Sequence, residues 1–289
     1  MSTRIKTIEL FLALGFATAS GSRALPTNAY EIDEAFEQSS SDFLLIAQGG
    51  EGGEGGEGGE GGEGGEGGEG GEGGEGGVST GDSDIDYLTT LGLMKGHLIT
   101  AQELIALENY QQAEPHIGHA VDELYGNIET VLPEKGVEDF KPTLNQLQDQ
   151  IQSAPDSPEV ETLLEQSEAS IDDAIAALPE SQLNSPEFVL DAMVEMLKSA
   201  ATEYEAAIAN GQFAEISEYQ NSRGFVLYAD ELYQTVAAEK AAADPQGHQV
   251  ITDSLTELKT AWPTIEPPEA PVKEPSEIYG LVSQIEFNK

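Results

Sequence analysis

The sequence predicts an all-α protein: an up-down helical bundle built from two weakly similar helical-hairpin halves, preceded by a disordered Gly-Glu tract. Beyond Val78, apolar residues recur at alternating spacings of four and three, the mark of a helix with one buried stripe. Ser-Pro-Glu occurs twice, at 157–159 and 185–187, and each copy pairs a capping serine with a proline suited to a first helical turn. Sliding Leu93–Tyr110 by 103 residues lays Leu93-Met94-Lys95 over Met196-Leu197-Lys198 and Ile105-Ala106 over Ile208-Ala209. Asp-Glu-Leu-Tyr recurs at 122–125 and 230–233, which extends the duplication.

The helices follow in order. Asp82, Ser83 and Asp84 offer caps for a first helix with Tyr87, Leu91, Met94, Leu98, Ala101 and Ile105 on its stripe. A break at Glu108-Asn109 leads into a second, carrying Ala113, Ile117, Ala120, Leu124, Ile128 and Val131 and ended by Leu132-Pro133. A third runs from about Phe140 to Ser153 and a fourth from the Ser157 cap to about Leu178. The Ser185 cap opens a fifth that stops at Asn210-Gly211, a common helix terminus. A sixth spans about Gln212 to Ala243, halted by Asp244-Pro245, and a seventh reaches Trp262-Pro263. The proline-rich loop 263–275 must lie extended over the surface before a last helix from about Ser276 to Phe287. Half 1 therefore covers 82–180 and half 2 covers 181–289. A tetratricopeptide array, suggested by ENYQQAEPHIGHA, fails because its period of about 34 residues does not recur.

Residues 1–24 read as a secretory signal peptide: Arg4 and Lys6, an apolar run from Leu10 to Ala19, then small-residue cleavage candidates ending at Ala19 and Ala24. The other reading is an uncleaved amphipathic helix. A polar lead follows at 25–48, and 49–81 hold nine Glu-Gly-Gly tripeptides and a short tail, a linker kept extended by glycine entropy and like-charge repulsion. A solvating spacer is the plain reading, and a low-affinity cation sponge is the other. No later segment approaches the roughly 18 apolar residues of a membrane span, so an exported protein, periplasmic or extracellular, is expected without membrane insertion after cleavage.

The net charge is −42, from 54 acidic and 12 basic residues, a field that repels phosphate backbones and gathers cations. Nucleic acid is not expected as a partner on that ground. With no cysteine, disulfides, thiolate zinc sites and iron–sulfur clusters are excluded too, and any metal must use His, carboxylate or carbonyl ligands.

Three of the four histidines fall between His97 and His119. If the first two helices fold back about Glu108-Asn109, residues whose numbers sum to about 217 lie level, which sets His97 beside His119 and Glu123. His116, His119 and Glu123 share one flank of the second helix at spacings of three and four. His97, His116, His119 and Glu123 are thus candidate ligands for zinc, copper or iron, an arrangement that helical bundles use for metal sites. Gly96 and Gly118 precede two of the histidines and would let the two helices approach closely. Ordinary structural histidines flanking an apolar stripe are the plain alternative. At the offset of 103 the second half carries Ala200, Tyr219 and Ser222 at the histidine positions. His248 caps its helix or joins the cluster as a further ligand.

A Glu-Gly-Gly tract joined to "GLMKGHL" and "HxxHxxxE" resembles exported bacterial helical proteins of unassigned function. More distantly the architecture resembles the imelysin-like family, secreted duplicated helix bundles associated with iron uptake. That family's GxHxxE signature is reproduced by neither Gly96-His97 nor Gly118-His119. The expected function is binding of a transition-metal cation by an exported, non-catalytic protein. The alternative is an envelope interaction or scaffold protein with an unknown envelope partner, the tract serving as tether. No nucleophile triad or phosphate-loop spacing supports an enzyme.

Overall fold

The α1 helix, Ser83–Ala106, starts where Asp82 accepts hydrogen bonds from the Asp84 and Ile85 amides and ends at Glu108, held at φ 58°. The computed structural model describes residues 79–289, all within one compact unit. The segment expected to be a signal peptide, the lead and nearly all of the expected linker lie outside the described residues. Among those described, no helix is long and apolar enough to cross a membrane.

The protein is all-α, as its periodicity predicts, and each half closes as a four-helix ring. In half 1, α1 packs on α2 (Tyr110–His119) and α5 (Pro158–Ala176), while α4 (Lys141–Ser153) completes the ring between α2 and α5. In half 2, α7 (Pro186–Ala206) packs on α8 (Ile216–Gln234) and α11 (Pro275–Glu286), with α10 (Pro245–Lys259) between those two. The neighbour pattern is the same helix for helix. Short α3 (Tyr125–Ile128), α6 (Glu180–Leu183) and α9 (Ala237–Ala243) fill the connections.

The halves meet where α1 crosses α7 and α8. Thr89 Oγ1 faces the Ala192 carbonyl at 3.5 Å, and these residues are 103 apart. Equivalent positions touching each other are what a local two-fold axis produces. Because α1 has neighbours on every side, its burial exceeds the predicted stripe: Leu88, Leu93 and Leu104 are as enclosed as Leu91 and Leu98.

Several boundaries differ from the sequence expectation. Asn210-Gly211 does not end a helix. The fifth helix stops at Ala206, and Asn210 (φ 55°) and Gly211 (φ 75°) instead turn a two-residue hairpin pairing Ile208 with Phe213 and Ala209 with Gln212. The predicted sixth helix is consequently two, since Gln212–Phe213 is strand and the chain breaks at Thr235-Val236 between α8 and α9. The second helix is interrupted as well. Pro115 removes one ladder N–H, and Ala120–Leu124 form a π-helical turn immediately after His119.

The proline-rich loop lies along half 2 and is pinned by two buried tyrosines. Tyr219 Oη donates to the Thr264 carbonyl at 2.8 Å, and Tyr204 Oη donates to the Lys273 carbonyl at 2.8 Å.

Candidate metal centre

His97 projects from the C-terminal half of α1, and His116 and His119 project from the end of α2. All three imidazoles gather: ring centroids are 6.0 Å apart for His97–His116, 5.3 Å for His97–His119 and 6.3 Å for His116–His119. Two imidazoles on one zinc ion at the tetrahedral angle have centroids about 5 Å apart, so the spacing is close to that of a shared ion. His97 and His116 are both 0 % exposed, and are therefore enclosed rather than on the flank of the stripe.

The glycines act differently from the expectation. Gly96 opens α1 to α8 rather than to α2, since a Cβ there would strike Phe225 and the Gly224 backbone. Gly118 faces Gln148 on α4. The hairpin brings the histidines together without help from either.

Glu123 lies in the π-turn, with Oε1 3.9 Å from His119 Nε2 and its side chain 33 % exposed. Such a pair contributes little on its own. On the inner side, His119 Nδ1 is buried and has no hydrogen-bond partner among the described residues. His248 stands apart from this group. Its Nδ1 meets Tyr233 Oη at 2.7 Å, and Asp244, not His248, caps α10 by accepting from the Gly247 amide.

Two residues of α8 complete the cluster. Asn221 Oδ1 is 2.7 Å from His116 Nδ1, and Gln220 Oε1 is 3.0 Å from His116 Nε2. Gln220 Nε2 in turn donates to Gln112 Oε1 at 2.7 Å. Gln112 and Gln220 line a surface cleft of about 380 Å³, bounded also by Asn109, Pro115 and Ile216. The sequence did carry a signal for the amides: Gln220-Asn221-Ser222 is a polar run between Tyr219 and Phe225 in a helix whose neighbours are apolar, and all three are buried. A polar run enclosed in a helix needs partners.

Burial, and next the nearby His97, push the His116 pKa down to about 3, so the ring is neutral at physiological pH. A neutral imidazole has one N–H and one lone pair, and cannot donate to two amide oxygens. Gln220 is committed by its bond to Gln112, whereas the other contact of the Asn221 amide, to Glu218 Oε2, is 3.5 Å. His116 therefore donates its one N–H to one of these amide oxygens, and the amide on its other nitrogen must turn to present its NH2 group.

The depressed pKa has a stability consequence. In the unfolded chain His116 binds its proton near pH 6.5, and in the fold it binds near 3, so acid favours unfolding across that interval. Stability of the metal-free protein is expected to fall by about 1.4 kcal/mol per pH unit as pH drops from 6 to 5, before most carboxylates titrate. Urea unfolding of the wild type and of His116→Leu at both pH values checks this, because the variant should lack that part of the slope.

As they stand, the four predicted ligands do not form a ready site. Among the described residues, no group of three or more His, Asp or Glu side chains is arranged to hold a metal ion. His116 has both nitrogens engaged by amides of α8.

Half 2 provides the comparison within the same chain. At the positions equivalent to the histidines, Ala200, Tyr219 and Ser222 are buried, and Trp262 Nε1 donates to Ser222 Oγ at 2.8 Å. It is this half that similarity identifies. Residues 179–288 match the family described as the iron permease-associated 4-helix bundle domain. The match runs from the residue before α6 to the last residue but one and takes in the whole second ring. No curated protein and no solved structure matches the chain. The matched bundle has the neighbour pattern of half 1, so the histidine cluster lies in the first ring, of the same architecture and outside the matched residues.

Proposed function

We propose that the protein is an exported, non-catalytic binder of a transition-metal ion that works in iron uptake or a related metal-acquisition process. The reading is carried by the gathering of His97, His116 and His119 within about one ion's reach of each other. It is supported by the similarity of the second ring to a bundle associated with iron permeases. His97, His116 and His119 would supply nitrogen and Glu123 an oxygen, a donor set suited to zinc, copper(II) or iron(II). Loading requires His116 to release one of its amides. The acidic surface and the Glu-Gly-Gly tract would raise the local cation concentration without selecting among cations.

Calorimetric titration of the protein with zinc, copper(II) and, without oxygen, iron(II) tests the reading. One saturable equivalent with a micromolar or tighter Kd is expected, weakened at least a hundredfold in a His97→Ala, His116→Ala, His119→Ala variant. Weak, unsaturable uptake that is equal in the variant would leave only cation gathering by the acidic surface. An envelope scaffold would then be the better reading.

A further inference from the structure

We propose that Asn221 is a displaceable cap on the ligating nitrogen of His116, and that Gln220 is the fixed partner that keeps this ring in its ion-binding tautomer. The inference rests on the metal-binding reading above and assigns roles to two residues of the opposite half.

The two amides are adjacent on α8 and equally enclosed, each 1 % exposed, yet their surroundings differ. Gln220 is held from both ends: Oε1 accepts from His116 Nε2, and Nε2 donates to Gln112 Oε1 at 2.7 Å, with the Ile265 carbonyl at 3.4 Å. Turning it would set its oxygen against the Ile265 carbonyl, a backbone group that cannot turn with it. Asn221 is held chiefly by His116, because its Glu218 contact is long at 3.5 Å. The lone pair of His116 is therefore on Nδ1, beneath the amide that has least to lose by moving.

Metal-bound histidines commonly donate their second N–H to an oxygen, which fixes the tautomer and raises ligand basicity. Gln220 already does this for His116. Asn221 does the opposite, occupying the nitrogen that an ion would take. Two neighbouring amides of like burial should therefore act on affinity with opposite sign.

The test is calorimetric zinc titration of wild-type, Asn221→Ala, Asn221→Ser and Gln220→Ala proteins, with thermal melts of each. Removing the cap should tighten zinc binding about tenfold, the worth of one hydrogen bond no longer broken on loading. Gln220→Ala should weaken it by ten- to a hundredfold. Asn221→Ser is the milder cap variant and should fall between wild type and Asn221→Ala, which keeps the test open if the alanine protein does not fold. Weaker binding in both positions, or no change in either, overturns the inference and leaves the metal-binding reading standing. Absence of saturable binding in the wild type overturns both.

A second measurement does not depend on metal. Long-range nitrogen–proton correlation spectra of the metal-free protein should show His116 as the Nε2–H tautomer in the wild type and in Asn221→Ala, and a tautomer mixture in Gln220→Ala. An Nδ1–H tautomer in the wild type overturns the assignment.

Discussion

Gly224→Ala is expected to destabilise the protein by about 3 kcal/mol, although alanine is the better helix former by about 1 kcal/mol. Gly224 lies in the interior of α8 where α8 crosses α1. A Cβ there would press on the Gly96 carbonyl oxygen and on Thr100 Oγ1. Thr100 Oγ1 also donates to the Gln220 carbonyl at 3.1 Å, so the crossing is tied by a hydrogen bond one turn away. A backbone oxygen cannot swing aside like the end of a long side chain, so the helices must separate, and overpacking of that kind costs more than propensity returns. Denaturant unfolding followed by circular dichroism checks the value. A variant as stable as the wild type would mean that α1 and α8 are not in the contact described. Because His116 is held by the same stretch of α8, the variant should also loosen the amide contacts.

Trp262→Ala is expected to cost about 3–5 kcal/mol, in the range for emptying a large aromatic site. Trp262 is the sole tryptophan, is 5 % exposed, and stands edge-on to Tyr204 with centroids 5.1 Å apart. Its indole N–H is satisfied by Ser222, and it packs at the start of the proline-rich loop, which Tyr219 and Tyr204 pin at Thr264 and Lys273. Loss of the ring would leave a cavity beside Tyr204 and leave the Ser222 hydroxyl without its indole donor. Trp262→Phe should recover more than half of the loss. An alanine variant within 1 kcal/mol of the wild type would contradict this packing. In the wild type, tryptophan fluorescence reports on half 2 alone, and binding at the histidines should alter it only through α8.

What could be read from the sequence followed from short-range rules. Ser157 and Ser185 cap α5 and α7 as their positions before proline predict, and the turn at Glu108-Asn109 is where the chain folds back. Fold-back plus helical spacing was enough to bring His97, His116 and His119 together. The remainder depended on partners far along the chain. Nothing local distinguishes Asn210-Gly211 as a helix stop from the same pair as a hairpin turn, since both use left-handed backbone. The π-turn after His119 and the burial of α1 on all sides follow from tertiary packing, not from the period. The role of Gln220 and Asn221 follows from α8 of one half crossing α1 and α2 of the other, a relation about 105 residues apart in the chain.

The contact of Thr89 with Ala192 places two copies of one architecture face to face on a single polypeptide. A symmetric homodimer must accept every substitution twice, so a histidine gained at one lobe is imposed on the other. On one polypeptide that constraint is absent. One lobe carries imidazoles where the other carries Ala200, Tyr219 and Ser222, and the second lobe supplies the amides that touch His116. For the proposed site the expected stoichiometry is accordingly one ion per polypeptide, with the second lobe as its brace.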